Sequence, residues 1–573
     1  MTDKKLQVMD LFAGAGGLSN GFEQTNKFEV KVAVEINENA RKTYALNHQP
    51  GVILHEDITK LKYKKDDGTL FDDYCDIDVI IGGPPCQGFS NANRQKNTLL
   101  SSNNQLVKEY LRAIEEIRPK AFVMENVRTL VSEKHKFFIS DDDEKELEEL
   151  EVKVDDEFIN LGNLVNNSEN LKSFLMVACH NETDITPFII KKEDFSKLNS
   201  LLRHAKKQSE NGLVDFLNKE NNRRYFRKIV SSQWKEIHEK YWDTSYKNKW
   251  VILGESLEKL LENEEVNTQD FTNILEDIIE TQRIINKTSE VIQNRIKLFG
   301  INIISDSVEI HIKSYNVFSY IKAKFSSFGY LLNEDNYIFN AARYGVPQER
   351  RRLILIGVLK EVLNSETVKT PTPLFENKDD YYKISHAIAD LERLEPSTNV
   401  NDDEINRGDI DSVIDNPLIQ YLNKNSKIVY NHVRTESREM AQKRFKALTA
   451  GQNFHNLDES LKSTYSDHSR TQNTIYKRLD YNQPSDTVVN VRKSMWIHPK
   501  LNRAISIREA ARLQSFPDSY KFYGTKDSQY QQVGNAVPPL MARFVAESLL
   551  ESLGVEIREK IKDIISPKML CNK

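Results

Sequence analysis

A thiol, a carboxylic acid and two guanidinium groups each stand at one end of a short apolar run in this chain, where a folded protein can present reactive side chains. Cys86 closes Asp78-Val-Ile-Ile-Gly-Gly-Pro-Pro-Cys86. The apolar and small residues suit a central parallel strand, the two prolines fix the backbone ahead of the cysteine, and Gly88 frees the loop behind it. A thiolate so placed is a nucleophile delivered to a strand tip; taken alone, it could equally be one of the small cysteines that fill cores. Glu125 ends Ala121-Phe-Val-Met, and that apolar lead favours an inward carboxyl with a raised pKa, a proton donor rather than a surface cap. Arg350 and Arg352 precede Leu-Ile-Leu-Ile, and strand alternation sends both to one face. A triple arginine is otherwise a solvated charge run.

Other elements must hold these groups against something. Residues 6–24 read as a strand, a glycine-rich turn containing Gly14, Gly16 and Gly17, and the start of a helix. A second strand, Val30-Lys-Val-Ala-Val34, ends at Glu35, and a third segment ends His55-Glu-Asp57-Ile58. Glycines for close backbone approach and carboxylates at strand tips are the layout of a nucleotide-binding crevice. Ser19 stands where the dinucleotide fingerprint requires its third glycine, which disfavours an NAD-type oxidoreductase without removing it.

Together these motifs resemble the DNA (cytosine-5) methyltransferases. The likeness is carried by Phe12-Ala-Gly-Ala-Gly-Gly17, Gly-Pro-Pro-Cys86-Gln87-Gly-Phe-Ser90, Glu125-Asn-Val and Gln348-Glu-Arg350-Arg-Arg352, and towards the C-terminus by Arg508-Glu-Ala-Ala-Arg512 and Gln532-Val-Gly-Asn535-Ala-Val537. It implies a doubly wound α/β core that binds S-adenosylmethionine. By that likeness Phe12 stacks near the adenine, Gly14 and Gly17 pass the methionine moiety, Glu35 holds the ribose hydroxyls and Asp57 accepts from the adenine amino group. Ile36, Ile58, Pro85, Leu106, Asn535 and Val537 complete the expected cofactor contacts. The same likeness has Cys86 add to cytosine C6, Glu125 contact N3 and the amino group, Arg352 hold O2, and Arg350 organise the cysteine loop or a nearby phosphate. Cytosine C5 is too weak a nucleophile to take a methyl group unaided, so addition at C6 is the step that activates it.

Composition agrees with a soluble globular protein. The chain has 573 residues, 39% apolar and 29% charged, enough for a core and at least one further domain. No apolar run approaches a membrane span. The cysteines Cys75, Cys86, Cys179 and Cys571 form no Cys-x-x-Cys pair and accompany no histidine cluster, so neither a disulfide framework nor a metal site is expected. A reducing bacterial cytoplasm and a monomer are the expectation. The net charge of −5 means that a polyanion would be met by local basic patches.

A base inside a duplex must be flipped out before a thiol can reach it, and the polar loop of residues 87–106, with Gln87 and Ser90, is the expected DNA-side closure. Two regions compete to read sequence. Residues 360–490 occupy the place of a smaller target-recognition domain and contain Asn431-His-Val-Arg434. Residues 132–312 are an insertion of about 180 residues beyond the family pattern, dividing the core into 1–131, 313–359 and 491–573. Within it Arg223, Arg224, Arg227 and Lys228 open a stretch that also carries Trp234, Trp242 and Trp250. Interleaved basic and aromatic residues can track phosphates and contact bases; tryptophans can equally anchor a core. The helical spacing of Phe271, Ile274, Leu275, Ile278, Ile279, Ile285, Val291 and Ile292 predicts internal packing of the inserted domain, with a partner face as the alternative. Protection of host DNA beside a cognate restriction endonuclease, a genetic rather than a physical partner, is the role implied by resemblance. A tRNA-methylating branch and a catalytically idle descendant are the alternatives; the intact Gln-Gly-Phe-Ser disfavours the first and the intact Cys86, Glu125 and Arg352 the second.

Overall fold

The computed structural model describes residues 4–85, 104–140, 143–163, 169–206, 212–234, 241, 243–304, 307–334, 337–408, 416–424, 426–465 and 471–567. Cys86, Gln87, Ser90 and Trp242 lie outside them. The described chain falls into two compact units: one comprises the segments before Leu130 and after Lys324, the other Val131–Ala323.

The first unit opens with β1 (Leu6–Leu11), α1 (Gly17–Glu23), β2 (Phe28–Val34), α2 (Glu38–Asn47) and β3 (Ile53–His55), followed by β4 (Val79–Gly82), α3 (Asn104–Ile117) and β5 (Ala121–Val127). The near-continuous apolar runs of β1, β4 and β5 are those of strands covered on both faces. β1 pairs in parallel with both β2 and β4, β2 with β3, and β4 with β5. The order 3-2-1-4-5 reverses between β1 and β4, which places a crevice at their carboxyl ends.

The second unit holds β6 (Lys136–Phe138), β7 (Val154–Asn163), β8 (Leu298–Ile304) and β9 (Ser307–Asn316), all antiparallel around β9. The boundary expected at 312 falls inside β9, whose pairing to β7 keeps the whole strand in this unit. Its longest helix, Thr268–Gln293, joins two cores. Phe271, Leu275, Ile278 and Ile279 pack among helices with Trp234, Trp250 and Leu253, while Ile284, Ile285 and Val291 cover the sheet residues Leu161, Val308, Ile310 and Ile312.

The chain then returns to the first sheet. β10 (Tyr330–Leu332), β11 (Ile338–Asn340) and β12 (Arg351–Leu359) follow, with β12 antiparallel to β5 and β10 and β11 both antiparallel to β12. Residues 360–490 place Tyr382, Leu418, Val433 and Val488 in the same core as α1 and the helix Pro539–Ser552. A satellite core of Phe445, Leu448, Phe454, Tyr476 and Ile497 gives the region a centre of its own. Gly21 lets α1 approach that C-terminal helix: a Cβ there would come within 2.4 Å of the Ala542 methyl.

Candidate active site

The parallel strands β1, β2 and β3 end at one edge of their sheet, and Phe12, Glu35 and Asp57 follow within two residues of those ends. Phe12 adopts a left-handed φ of 58° and Gly14 one of 57°, so the chain turns sharply off β1; space above Gly14 is open, and a Cβ added there would meet no atom within 4 Å. The Gly14 N–H donates to Glu35 Oε2 at 2.9 Å and the Asn37 N–H to Glu35 Oε1 at 2.8 Å. Glu35 is thereby fixed against the turn. Ile36 beside it is 76% exposed, an apolar side chain left at the rim of a crevice. Asp57 accepts from the N–H and hydroxyl of Thr59 at 3.0 and 2.7 Å, and those donors hold its carboxyl below the usual range. Ile58 is buried, and its carbonyl accepts from Arg112 of α3, the helix that carries half-buried Leu106 in its first turn.

Gly17 closes the turn against the C-terminal segment. A Cβ on Gly17 would lie 2.3 Å from the Val537 carbonyl oxygen, which brings Val537 to the crevice from far along the chain. Asn535, exposed at the end of the helix Lys526–Asn535, accepts from Gln531 at 2.7 Å. An open glycine turn, a carboxylate anchored beside it and an exposed apolar side chain together fit a ligand with a ribose and an adenine, the chemistry of S-adenosylmethionine.

β4 stands next to β1, so the second half of the site adjoins the first. The Gly83 N–H donates to the Leu11 carbonyl at 3.3 Å. The Asn126 amide donates to the Pro84 carbonyl at 2.9 Å, pinning the Pro84–Pro85 step, and half-buried Pro85 is the last described residue before Cys86. Glu125, in β5 just ahead of that asparagine, keeps 14% of its side chain exposed and meets Arg352 Nε at 3.0 Å. Burial raises the Glu125 pKa against the lowering pull of Arg352 and then Arg350. Arg350 is 1% exposed and donates to the Val488 carbonyl at 3.1 Å; burial, with Arg352 beside it, lowers its own pKa. Of the two, Arg352 contacts the Glu125 carboxylate, while Arg350 acts on it only through its charge.

Gln348 is a connecting residue that its motif position alone did not reveal. Its amide donates to the Leu513 carbonyl at 3.1 Å and to Gln514 at 2.8 Å, while its oxygen accepts from the Val488 N–H at 2.6 Å. Backbone bonds from Glu349 to Ser485 and from Ser485 to Pro347 clamp residues 485–488 to the loop ahead of β12. Only a contact across more than a hundred residues makes this hub, so local pattern carries no signal for it.

The expected DNA-side residues divide. Arg223 donates to Asn218 Oδ1 and to the Leu261 carbonyl, both at 2.6 Å, and is thus used in packing its own helix. Arg224, Arg227 and Lys228 are exposed. Trp234 and Trp250 are core residues: the Trp234 indole donates to the Trp250 carbonyl at 2.9 Å and the rings meet edge to face at 5.5 Å. The large apolar area of each ring is better satisfied inside the helical core than on a surface. Asn431 and His432, in the region expected to read sequence, are fully buried; Asn431 bridges Asp403, Phe522 and Gln529, and His432 meets Leu394 and Ser506. Partners supplied by distant segments account for both. Among the described residues no group of His, Cys, Asp and Glu side chains is arranged to hold a metal, and no helix is long and apolar enough to cross a membrane.

Comparison with known proteins adds the following. The family profile for C-5 cytosine-specific DNA methylases matches residues 6–307 and 308–551. The chain is 24% identical over 562 residues to the type II methyltransferase M.DdeI of Desulfomicrobium norvegicum, covering 95% of this chain and 88% of that one. It is 23% identical over 548 residues to the type II methyltransferase M1.HphI of Haemophilus parahaemolyticus, covering 95% and 87%. A crystal structure described as a prophage-encoded DNA modification methyltransferase of E. coli superposes with a TM-score of 0.51 at 21% identity, over 96% of this chain and 100% of that one, a likeness of fold.

Proposed function

The chain belongs to the C-5 cytosine-specific DNA methylase family and is a DNA (cytosine-5)-methyltransferase, and from that premise we propose that it methylates one cytosine of a specific duplex sequence by transient covalent addition of Cys86. S-Adenosylmethionine, held by the glycine turn, Glu35 and Asp57, supplies the methyl group. The Cys86 thiolate adds to C6 of an extruded cytosine, and the electron pair displaced onto the ring makes C5 nucleophilic. Glu125 donates a proton or hydrogen bond at N3 as negative charge develops there, and Arg352 neutralises the charge spreading to O2. Once C5 carries the methyl group and the thioether S-adenosylhomocysteine has left, loss of the C5 proton to a base expels the thiolate and restores the aromatic ring.

The observation that carries this reading is the Glu125–Arg352 pair at 3.0 Å, on the strand beside the Pro84–Pro85 step that leads into Cys86. An acid whose pKa burial raises, gripped by a guanidinium, is what a ring gaining charge at N3 and O2 requires. The type II names of the long-matching relatives support a role in host-DNA protection beside a restriction endonuclease.

The test is transfer of labelled methyl from S-adenosylmethionine to duplex DNA or to tRNA by the wild type and by Cys86→Ser, with bisulfite sequencing of the DNA. Methylcytosine at one short sequence, lost in the variant while cofactor and DNA binding persist, is the expected result. Turnover by Cys86→Ser would end the covalent reading, and label on tRNA alone would move the substrate to RNA.

A further inference from the structure

Beneath the glycine turn lies a buried polar cluster that the reaction above does not use. Asp10, near the end of β1, is 1% exposed and accepts from the Tyr44 hydroxyl at 3.1 Å. Ser19 of α1 lies within hydrogen-bonding reach of Asp10 and contacts His48 Nε2 at 2.9 Å and the Gly16 carbonyl at 3.2 Å. His48 stacks on Tyr44 at 3.7 Å and places Nδ1 3.0 Å from the Tyr44 carbonyl. The cluster supports the turn directly, because a Cβ on Gly16 would lie 2.4 Å from His48 Cε1 and 2.7 Å from the Tyr520 hydroxyl.

Counting protons decides the state of Asp10. A carbonyl only accepts, so His48 Nδ1 carries the hydrogen, and burial lowers the His48 pKa to about 4, which leaves Nε2 bare at neutral pH. The Ser19 hydroxyl has a single proton to divide among Nε2, the Gly16 carbonyl and Asp10, so it gives Asp10 at most one shared bond. Tyr44 is the other donor to a carboxylate that is otherwise enclosed. The other titratable groups near the cluster are Glu23, 3.7 Å from His48, Glu35, and Tyr110 of α3, whose hydroxyl donates to the Val123 carbonyl; Tyr520 approaches from the C-terminal segment, and Lys5 and Glu29 act on Glu23. Burial, reinforced by the two glutamates, pushes Asp10 up to about 7 even with Ser19 counted as a donor, and Glu23 likewise to about 7.

We propose that Asp10 is a titrating counter-charge beneath the cofactor turn, protonated when the site holds a neutral ligand and ionised when it holds a cationic one, so that it favours the sulfonium methyl donor over the neutral thioether product. The inference rests on the reading that the Gly14–Gly17 turn holds the methionine part of S-adenosylmethionine. Binding of the cation expels the Asp10 proton to solvent and gains the attraction of the carboxylate; the neutral product leaves the proton in place and gains nothing from Asp10. Asp10 acts as a positioning residue, with Tyr44, Ser19 and His48 setting its proton affinity.

Calorimetry separates the possibilities. S-Adenosylmethionine and S-adenosylhomocysteine are titrated near pH 7 into the wild type and Asp10→Asn, in buffers of low and high ionisation enthalpy. The expected result is that the wild type releases a larger fraction of a proton with the donor than with the product. The variant loses that difference, and its preference for the donor falls about tenfold, ~1.4 kcal/mol. Ionisation of the ligands themselves cancels between the two proteins. Equal proton release and equal preference in both would overturn the proposal. Should Asp10→Asn fail to fold, Tyr44→Phe keeps the ring that stacks on His48 and removes the donor; the pH at which donor preference sets in should then rise, and an unmoved pH would also overturn it. If neither ligand binds the wild type, the cofactor reading itself fails, an outcome distinct from these.

Discussion

Replacing Glu125 with glutamine separates what this carboxyl does for the fold from what it does for the reaction. Its Oε1 meets Arg352 Nε at 3.0 Å, with 14% and 17% of the two side chains exposed, so the pair is partly screened. Its Oε2 lies 2.8 Å from where a Cβ on Gly83 would be, so a replacement must have the same shape, as glutamine has. Glutamine still offers Arg352 an acceptor oxygen, and the change turns a charge-assisted hydrogen bond into one with a neutral acceptor, at a cost of about 1–2 kcal/mol of stability. Its amide can still donate to N3 of a bound cytosine, so DNA affinity should stay within about threefold. It cannot surrender a proton as the ring gains charge, and kcat should fall about 10²–10³-fold, ~2.7–4 kcal/mol in the barrier. Methyl transfer at saturating DNA and cofactor, with denaturant unfolding on the same samples, measures both. A variant that turns over within about threefold of the wild type would refute the acid role, and a loss of DNA affinity with kcat unchanged would make Glu125 a binding residue only.

Three further expectations follow from the geometry. Gly17→Ala forces a methyl group toward the Val537 carbonyl, to within 2.3 Å if nothing shifts; it should cost about 1–3 kcal/mol of stability and weaken S-adenosylmethionine binding at least about tenfold, and unchanged affinity would show that the turn does not hold the ligand. Replacing exposed Arg224 and Arg227 by alanine should leave folding intact and make the salt dependence of DNA binding shallower by roughly 1 to 2 in log–log slope if they meet phosphates; an identical slope makes them solvated surface. His432 is fully buried and its pKa is lowered to about 4 by burial, so between about pH 6.5 and 4 the unfolded chain binds a proton that the folded one refuses. Stability therefore falls as pH drops through that window, by ~1.4 kcal/mol per pH unit for this one group. His432→Gln should remove that share of the slope, and equal slopes in the two proteins would contradict it.

The α/β core and the family to which the chain belongs were legible along the chain. Val79-Ile-Ile-Gly and Ala121-Phe-Val-Met could be read as strands because each is a local apolar run, and Glu35 follows directly where β2 stops; Glu125 and Arg352, expected at strand tips, lie inside β5 and β12, because pairing between these two strands carries each past its apolar run. Local pattern says little about partners distant in sequence. That Trp234 and Trp250 face each other rather than DNA, that Arg223 caps a neighbouring helix carbonyl, that Gln348 ties residues 485–488 to the arginine strand, and that Asn431 and His432 are interior hydrogen-bonding groups were all fixed by packing in three dimensions. In each case the deciding partner is brought in from elsewhere along the chain, so burial and hydrogen-bond satisfaction are settled only when the cores close. Asp10 is the sharpest instance: in sequence it is a polar residue inside a strand, and only burial in the folded core, against the lowering pull of Ser19 and Tyr44, pushes its carboxyl up to about 7.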